Sequence, residues 1–403
     1  MGARLVCALA GGVLALPAAP SPAAAAAAAP VPCPRATPAV KVSRPPKPTP
    51  PPDVPSLKTV GGADLATPGL ALPAGVRPPP GVTATSWVVA DLDTGAVVAA
   101  CGAHEYGTPA SVQKLLLTAT FLPKLDPHRV VTVTREDMKF EAGSSAVGLL
   151  VGGRYTVETL WLGLLLESGN DAANVLARLG GGSAAAGVEA MNEEARRLGA
   201  FQTHAVTPSG LDGPGQFTSA YDLALIARAD FANEAFRRYA LTQRTQIPKQ
   251  PKATPPDPRG FQIQNENKLI FEYPGALGGK TGFTSLARHT YVGAASHNGR
   301  RLVVTLLGAE AQPLRGWQQG AALLDWGFSL PAEARVGRLV EPGEPAPTEP
   351  PFGTAAPAGS PNGAAAASGS SATTPRVVGL TSGAAALAVI VTALVVTLRR
   401  RRR

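Results

Sequence analysis

The stretch LGGKTGFTSLARHTYVGAASHNGRRLVVTLL, from Leu277 to Leu307, decides the fold class. Leu277–Phe283, Thr290–Ala295 and Leu302–Leu307 are runs of strand length with β-branched or aromatic residues at their centres. The last two are joined through His297-Asn298-Gly299-Arg300, and Asn-Gly readily takes the left-handed backbone of a tight hairpin turn. Earlier, Trp87–Asp91 and Ala96–Ala100 flank Leu92-Asp93-Thr94-Gly95, a second hairpin signal. Between the two sets the period changes to that of a helix. Val112, Leu115, Leu116, Ala119 and Leu122 share one face of Ser111–Leu122, and Pro109 suits a chain entering it. Further helical patterns cover Val157–Leu166, Asp171–Leu179, Val188–Leu198 and Tyr221–Arg228, the last preceded by the capping pair Ser219 and Asp222. Pro313–Phe328 closes as a helix. Two strands, a helical middle, three strands and a helix predict an α+β body, one antiparallel sheet with helices packed on it.

Outward from this body the composition changes. The 403 residues include 44 Gly and 40 Pro, too many for one continuous packed unit. Three Cys exclude a disulfide scaffold. The net charge of +9 sits in the ends, because residues 61–345 carry 25 basic and 26 acidic residues. Nucleic acid is therefore not an expected partner. Residues 1–26 read as a signal peptide: Arg4, an apolar stretch Leu5–Leu16, then small residues. Residues 27–60 form a Pro-rich, extended linker and residues 331–376 a Pro/Ala/Gly/Ser-rich stalk. Residues 377–398 hold no charge and span about 33 Å as a helix, enough for a bilayer core. The arginines of residues 399–403 keep that end cytoplasmic, so the body, residues 61–330, is expected outside the cell membrane on a single-pass anchor. An oxidising compartment allows Cys33 and Cys101 to pair, although burial of Cys101 as a small hydrophobe is the favoured reading.

Three triplets carry the chemistry. Ser111-Val112-Gln113-Lys114 puts an amine and a hydroxyl on one helix face. A serine hydroxyl needs a base, and lysine serves only where burial or a neighbouring cation disfavours its ammonium. Ser168-Gly169-Asn170 lies between two helical patterns, and Lys280-Thr281-Gly282 lies in a strand where Gly permits close backbone approach. Each alone has a plainer reading: a helix cap, or a charge that protects a sheet edge. The three in order form the signature set of class A β-lactamases and penicillin-binding proteins. No Gly-x-Ser-x-Gly and no His-Glu-x-x-His is present, and His104, His128, His204, His289 and His297 are scattered, so neither a Ser-His-Asp hydrolase nor a zinc peptidase is indicated.

From about Ser86 to Gly308 the chain resembles the serine D-alanyl-D-alanine carboxypeptidases, the low-molecular-mass penicillin-binding proteins. Supporting the triplets are Ala90-Asp91-Leu92-Asp93-Thr94-Gly95, Glu167-Ser168-Gly169-Asn170-Asp171-Ala172 and Met191-Asn192. Pro208-Ser209-Gly210-Leu211-Asp212, Asn265-Glu266-Asn267-Lys268-Leu269 and Gly279-Lys280-Thr281-Gly282-Phe283-Thr284 complete the set. The resemblance implies a five-stranded antiparallel sheet with helices on both faces, plus a mostly helical lobe. It implies that Ser111 is the acylated nucleophile, Lys114 its base and Ser168 a proton relay towards the leaving D-alanine. Asn170 would hold the substrate amide, Thr281 the terminal carboxylate, and Lys280 would keep the site positive. Gly282 belongs to the same substrate-binding strand, and the backbone N–H groups of Ser111 and Phe283 would hold the oxyanion. Peptidoglycan stem peptides are the implied substrate and penicillin and other β-lactams the implied covalent inhibitors, with no metal or cofactor. The alternatives are a β-lactamase of the same fold, although no Glu-x-x-Leu-Asn string follows the second motif, and a non-catalytic wall-binding scaffold. One departure stands out: where many relatives carry an Arg past the last strand this chain has Glu310, with Arg315 five residues on as a substitute. Arg288 reads as an ordinary surface charge.

Overall fold

The computed structural model describes residues 29–347, apart from residues 41, 42, 44 and 47. The expected signal peptide, membrane helix and basic tail lie outside the described residues. Among those described, no helix is long and apolar enough to cross a membrane.

In chain order the elements are α1 (Pro55–Lys58), β1 (Leu70–Ala71), β2 (Ser86–Asp91), β3 (Ala96–Cys101), α2 (Lys114–Phe121), β4 (Val130–Thr132) and β5 (Arg154–Thr156). There follow α3 (Val157–Leu166), α4 (Asn170–Gly181), α5 (Ala184–Arg197), α6 (Ala220–Ala232) and α7 (Glu234–Ala240). The last third holds β6 (Arg244–Ile247), β7 (Phe261–Gln264), α8 (Leu269–Glu272), β8 (Ala276–Thr284), β9 (Arg288–His297), β10 (Arg300–Ala309), α9 (Gly316–Phe328) and β11 (Gly337–Arg338). The five expected strands form the order β3-β2-β10-β9-β8, all antiparallel, and the two-residue strands β1 and β11 each pair with β3.

The sheet is buried on both sides, and period-two alternation assigns each residue to a face. Val88, Ala90, Val97, Val292, Ala294 and Val303 join the core beneath α2 and α6. Trp87, Val89, Val98, Leu302, Val304 and Leu306 point the other way, to Leu323 and Leu324 of α9. Each fully buried Leu or Val of this kind contributes about 1.5–3 kcal/mol. The β9–β10 turn places Asn298 and Gly299 at φ 51° and 79°, as its Asn-Gly pair predicts. Ser219 caps α6 by accepting from the Asp222 N–H at 3.1 Å.

Three expectations are corrected. The favoured free, buried Cys101 is instead disulfide-bonded to Cys33. The Pro-rich linker is not wholly detached: Leu70 N–H donates to Val31 O at 2.8 Å, Ala36 N–H to Val82 O at 3.1 Å, and Arg35 Nη1 to Ala84 O at 3.1 Å. The stretch after Leu330 also continues the body, since Val336 N–H donates to Val97 O at 2.8 Å and Leu339 and Val340 are buried. In both tails backbone pairing with distant segments of the body supplies much of the order, joined in the second by burial of Val336, Leu339 and Val340, and composition alone does not show such pairing.

Cross-linking residues 68 apart restricts the unfolded chain, an effect worth about 4 kcal/mol. Reduction is therefore expected to lower the thermal midpoint by roughly 5–10 °C. Because Cys33 and Cys101 lie outside the cleft described next, reduction should leave the rate of penicillin acylation at 25 °C unchanged. Differential scanning fluorimetry with and without dithiothreitol, alongside a fluorescent-penicillin assay, checks both parts.

Candidate active site

The expected single helix from Ser111 is in fact two segments: a 3-10 turn, Ala110–Gln113, running into α2 at Lys114. Ser111 and Lys114 still face one another. The Lys114 side chain is fully buried, and its Nζ lies 2.8 Å from Ser111 Oγ, 2.7 Å from Asn170 Oδ1 and 2.8 Å from Ser209 O. Two of these partners accept only. They take two N–H bonds, and the third partner is a hydroxyl that can itself donate. A neutral amine satisfies all three, with its lone pair on the Ser111 proton. Burial drives the Lys114 pKa well below the usual lysine range, Lys280 pushes it further, and Asp171 and Glu266 oppose the shift.

The third motif reaches this turn through Gly282. A Cβ there would sit against Thr290 Oγ1, 2.9 Å from Ser111 N and 3.0 Å from Val112 N, so only glycine lets β8 lie against the Ser111 backbone. Thr290 of β9 ties the same turn by donating to Pro109 O at 2.8 Å. Lys280 is buried, not an edge charge, and its Nζ donates to Thr281 O at 2.8 Å. Burial lowers its pKa to about 8, with Glu266 opposing. Thr281, Gly282 and Phe283 line the cleft, and Phe283 is half exposed at its lip.

In the second motif, Ser168 adopts φ 60°, and its buried Oγ has no hydrogen-bond partner among the described residues. A buried orphan hydroxyl beside a cleft is where a bound molecule or water must supply the partner. Asn170 accepts from Lys114 and donates from Nδ2 to Ser144 Oγ at 3.0 Å. Asp171, which has no role in the sequence reading beyond the motif, is fully buried and accepts from the N–H groups of Val147, Gly148 and Leu149 at 2.9–3.0 Å. Those bonds press the Ser144–Leu149 segment against the start of α4. The Ser209 carbonyl is likewise a site group that sequence did not single out, although the segment Pro208–Asp212 was noted. Side-chain motifs do not reveal which main-chain oxygen a loop presents.

The cleft between these elements has a volume of about 650 Å³ and includes Ser111, Ser145, Ser168, Glu266, Thr281, Phe283, His289 and Arg315 in its lining. Arg315 is thus on the wall of the cleft that Thr281 also lines. Glu310 is buried and ion-paired with Arg288 at 2.9 Å, so Arg288 is not the ordinary surface charge expected. The Arg288 guanidinium also sits 5.3 Å from the centroid of the Phe283 ring, which packs on His289. Among the described residues no three His, Cys, Asp or Glu side chains gather as a metal site requires.

Residues 74–311 match the family profile described as D-alanyl-D-alanine carboxypeptidase. The D-alanyl-D-alanine carboxypeptidase DacB2 of Mycobacterium tuberculosis is 45% identical over 273 residues, covering 66% of this chain and 90% of that protein. The DacD enzyme of Escherichia coli is 35% identical over 261 residues, 62% of this chain and 64% of the relative, so the match spans under two thirds of that protein. A crystal structure of a Mycobacterium tuberculosis D-alanyl-D-alanine carboxypeptidase superposes with a TM-score of 0.62 at 42% identity, over 66% of this chain and 99% of the other. The Streptomyces K15 DD-transpeptidase gives a TM-score of 0.59 at 26% identity, over 63% and 100%. With more than half its length inside the profile and its motifs gathered about one buried amine, the chain belongs to the D-alanyl-D-alanine carboxypeptidase family.

Proposed function

We propose that this protein removes the terminal D-alanine from peptidoglycan stem peptides through an acyl-enzyme on Ser111. The observation that carries the reading is the Lys114 amine, buried between two carbonyl acceptors and the Ser111 hydroxyl. In the first step the Ser111 Oγ proton passes to Lys114 Nζ as Oγ bonds to the carbonyl carbon of the penultimate residue. The backbone N–H groups of Ser111 and Phe283 receive the developing oxyanion. Lys114 Nζ then gives up that proton by way of the Ser168 hydroxyl, which takes it and passes its own to the leaving amine as the C–N bond breaks and D-alanine departs. Water then attacks the ester carbonyl, its proton passing by way of Lys114 to Ser111 Oγ as the C–O bond breaks and the shortened peptide leaves as a carboxylic acid.

Asn170 takes the substrate amide, while Thr281, Lys280 and Arg315 supply a hydroxyl and two cations for the free carboxylate. Arg315 fills the role that Glu310 leaves vacant, and its place on the cleft wall supports that assignment. The strained ring of penicillin presents an amide and a carboxylate in the same arrangement, so it acylates the same oxygen. Whether water or a second amine takes the acyl group decides between hydrolysis and transfer. We further propose that residues 377–398 anchor the protein in the cell membrane with the catalytic body outside.

Intact-mass measurement after incubation with penicillin should show one covalent adduct, absent in Ser111→Ala, with turnover falling by at least about a thousand-fold. An adduct on Ser111→Ala would overturn the assignment. The acylation rate should follow a bell against pH. Lys114 must be neutral, so the rate rises with pH through its depressed pKa. Lys280 must be charged, so the rate falls as pH rises through about 8. Lys280→Arg keeps its charge to far higher pH and should remove that alkaline limb; a limb that stays near pH 8 in this variant rules Lys280 out. A chain ending before Arg376 should leave the membrane fraction with its acylation rate intact.

A further inference from the structure

A second buried group, outside the three motifs, has all but one of its side-chain hydrogen bonds on one loop. Gln216 is 1% exposed. Its Oε1 accepts from the backbone N–H groups of Val206 and Thr207, both at 3.2 Å, from Thr207 Oγ1 at 3.2 Å and from Gln113 Nε2 at 3.1 Å. Its Nε2 donates to Leu211 O at 2.6 Å. Gln113, inside the Ser111–Lys114 motif, donates to Thr207 O at 2.6 Å and so grips the same loop from the other side. Between the held ends lie Ser209, whose carbonyl accepts from Lys114, and Gly210, whose Cα packs against Ala110 O so closely that a Cβ there would overlap it.

We propose that Gln216 is a positioning residue of the active site: it fixes the 206–211 loop so that the Ser209 carbonyl holds one Lys114 N–H and turns the amine lone pair onto Ser111. The proposal rests on Lys114 acting as the base. Among the described residues no other backbone carbonyl bonds Nζ, and the remaining fixed acceptor is Asn170 Oδ1. Without the Ser209 oxygen the amine is free to turn away from the hydroxyl it must deprotonate. Gln216 is uncharged, so its loss acts on Lys114 only through that carbonyl. The charged groups felt by Lys114, namely Lys280 on β8, Asp171 on α4 and Glu266 ahead of α8, are left in place.

The direction of the effect separates positioning from simple loosening. A carbonyl oxygen facing Nζ stabilises the ammonium more than the amine. Withdrawing it makes Lys114 give up its proton more readily, which moves the acid limb of the acylation profile to lower pH. Loosening that admits water would restore solvation to the ammonium and move the limb to higher pH.

The experiment measures acylation by a fluorescent penicillin across pH in the full chain, for wild type, Gln216→Met and Gln113→Met. The expected result for Gln216→Met is a plateau rate about ten-fold lower, with the acid limb displaced downward by about half a pH unit. The dissociation constant of the non-covalent complex should stay within about two-fold. Gln113→Met, which releases the loop from the opposite side, should shift both in the same direction and carries the test if Gln216→Met does not fold. An acid limb that stays put or rises overturns the inference, as does an unchanged plateau. Lys114→Ala separates the two levels: an undiminished adduct in that variant breaks the assignment of the base itself. An inert Lys114→Ala beside an unmoved Gln216→Met limb breaks only the role given to Gln216.

Discussion

A buried amine cannot keep three protons and a full charge without help from its surroundings, and the organisation of the cleft follows from that. Taking an ammonium out of water costs several kcal/mol unless it is paired, so at Lys114 the neutral form is the cheaper state. A neutral amine then needs two acceptors and one donor. These come from three segments distant in the chain: Asn170 opening α4, Ser209 in a loop before α6, and Ser111 in the turn before α2. No pair of them suffices. This three-way environment of Lys114 exists only once the helical part has docked on the turn that β8 and β9 support. Lys280, the second buried amine, tips the balance further by disfavouring a charge on Lys114.

The same convergence explains where the backbone is strained. Of the residues with positive φ that are not glycine, Ala110, Ser168 and Arg288 lie at or beside the cleft, at 49°, 60° and 57°. Each such position costs on the order of 1–3 kcal/mol and survives only if neighbours enforce it. Ala110 is clamped between Gly210 and the Pro109 carbonyl that Thr290 holds. Ser168 precedes Asp171, whose carboxylate fixes the facing loop. Arg288 is held by Glu310 and covers the Phe283 ring, so the ion pair braces the end of β8 where the oxyanion N–H is proposed to lie. Asn298, also positive, is different: it sits in a hairpin turn, where the Asn side chain tolerates that backbone.

Much of this was legible in the sequence, and the limits were physical. The strands of the late sheet, the Asn-Gly turn, α3 to the residue and the Ser219 cap could be read because periodicity and turn chemistry are local. The three triplets pointed to side chains that the structure brings to one cleft, because their residue types are chemically specific. What stayed hidden was mediated by main-chain atoms or by distant pairing. The Ser209 carbonyl leaves no trace in residue identity. Cys33 sits in a Pro-rich tail that gives no sign of returning to β3. The Arg288–Glu310 pair joins two residues that each looked misplaced, one as a stray surface cation and one as an acid where a cation was expected. Read together they explain each other, but only with a register that brings the start of β9 beside the end of β10.

That exchange leaves the charge of the cleft to be settled locally. The body as a whole is nearly neutral, with 25 basic against 26 acidic residues over positions 61–345. At physiological ionic strength, charges beyond about 8 Å are largely screened, so neither that balance nor the basic tails decides what enters. Within the cleft Arg315 and Thr281 are both in the lining, Arg288 is occupied by Glu310, and Lys280 is buried. A substrate carboxylate would therefore meet one exposed guanidinium and one desolvated ammonium. Burial strengthens the second attraction by lowering the local dielectric, and the same burial brings the Lys280 pKa down to about 8. Under the proposed function, the ammonium offered to the substrate carboxylate is thus one that burial has already brought within reach of losing its charge, and the depth at which Lys280 is held would set the alkaline limit of activity.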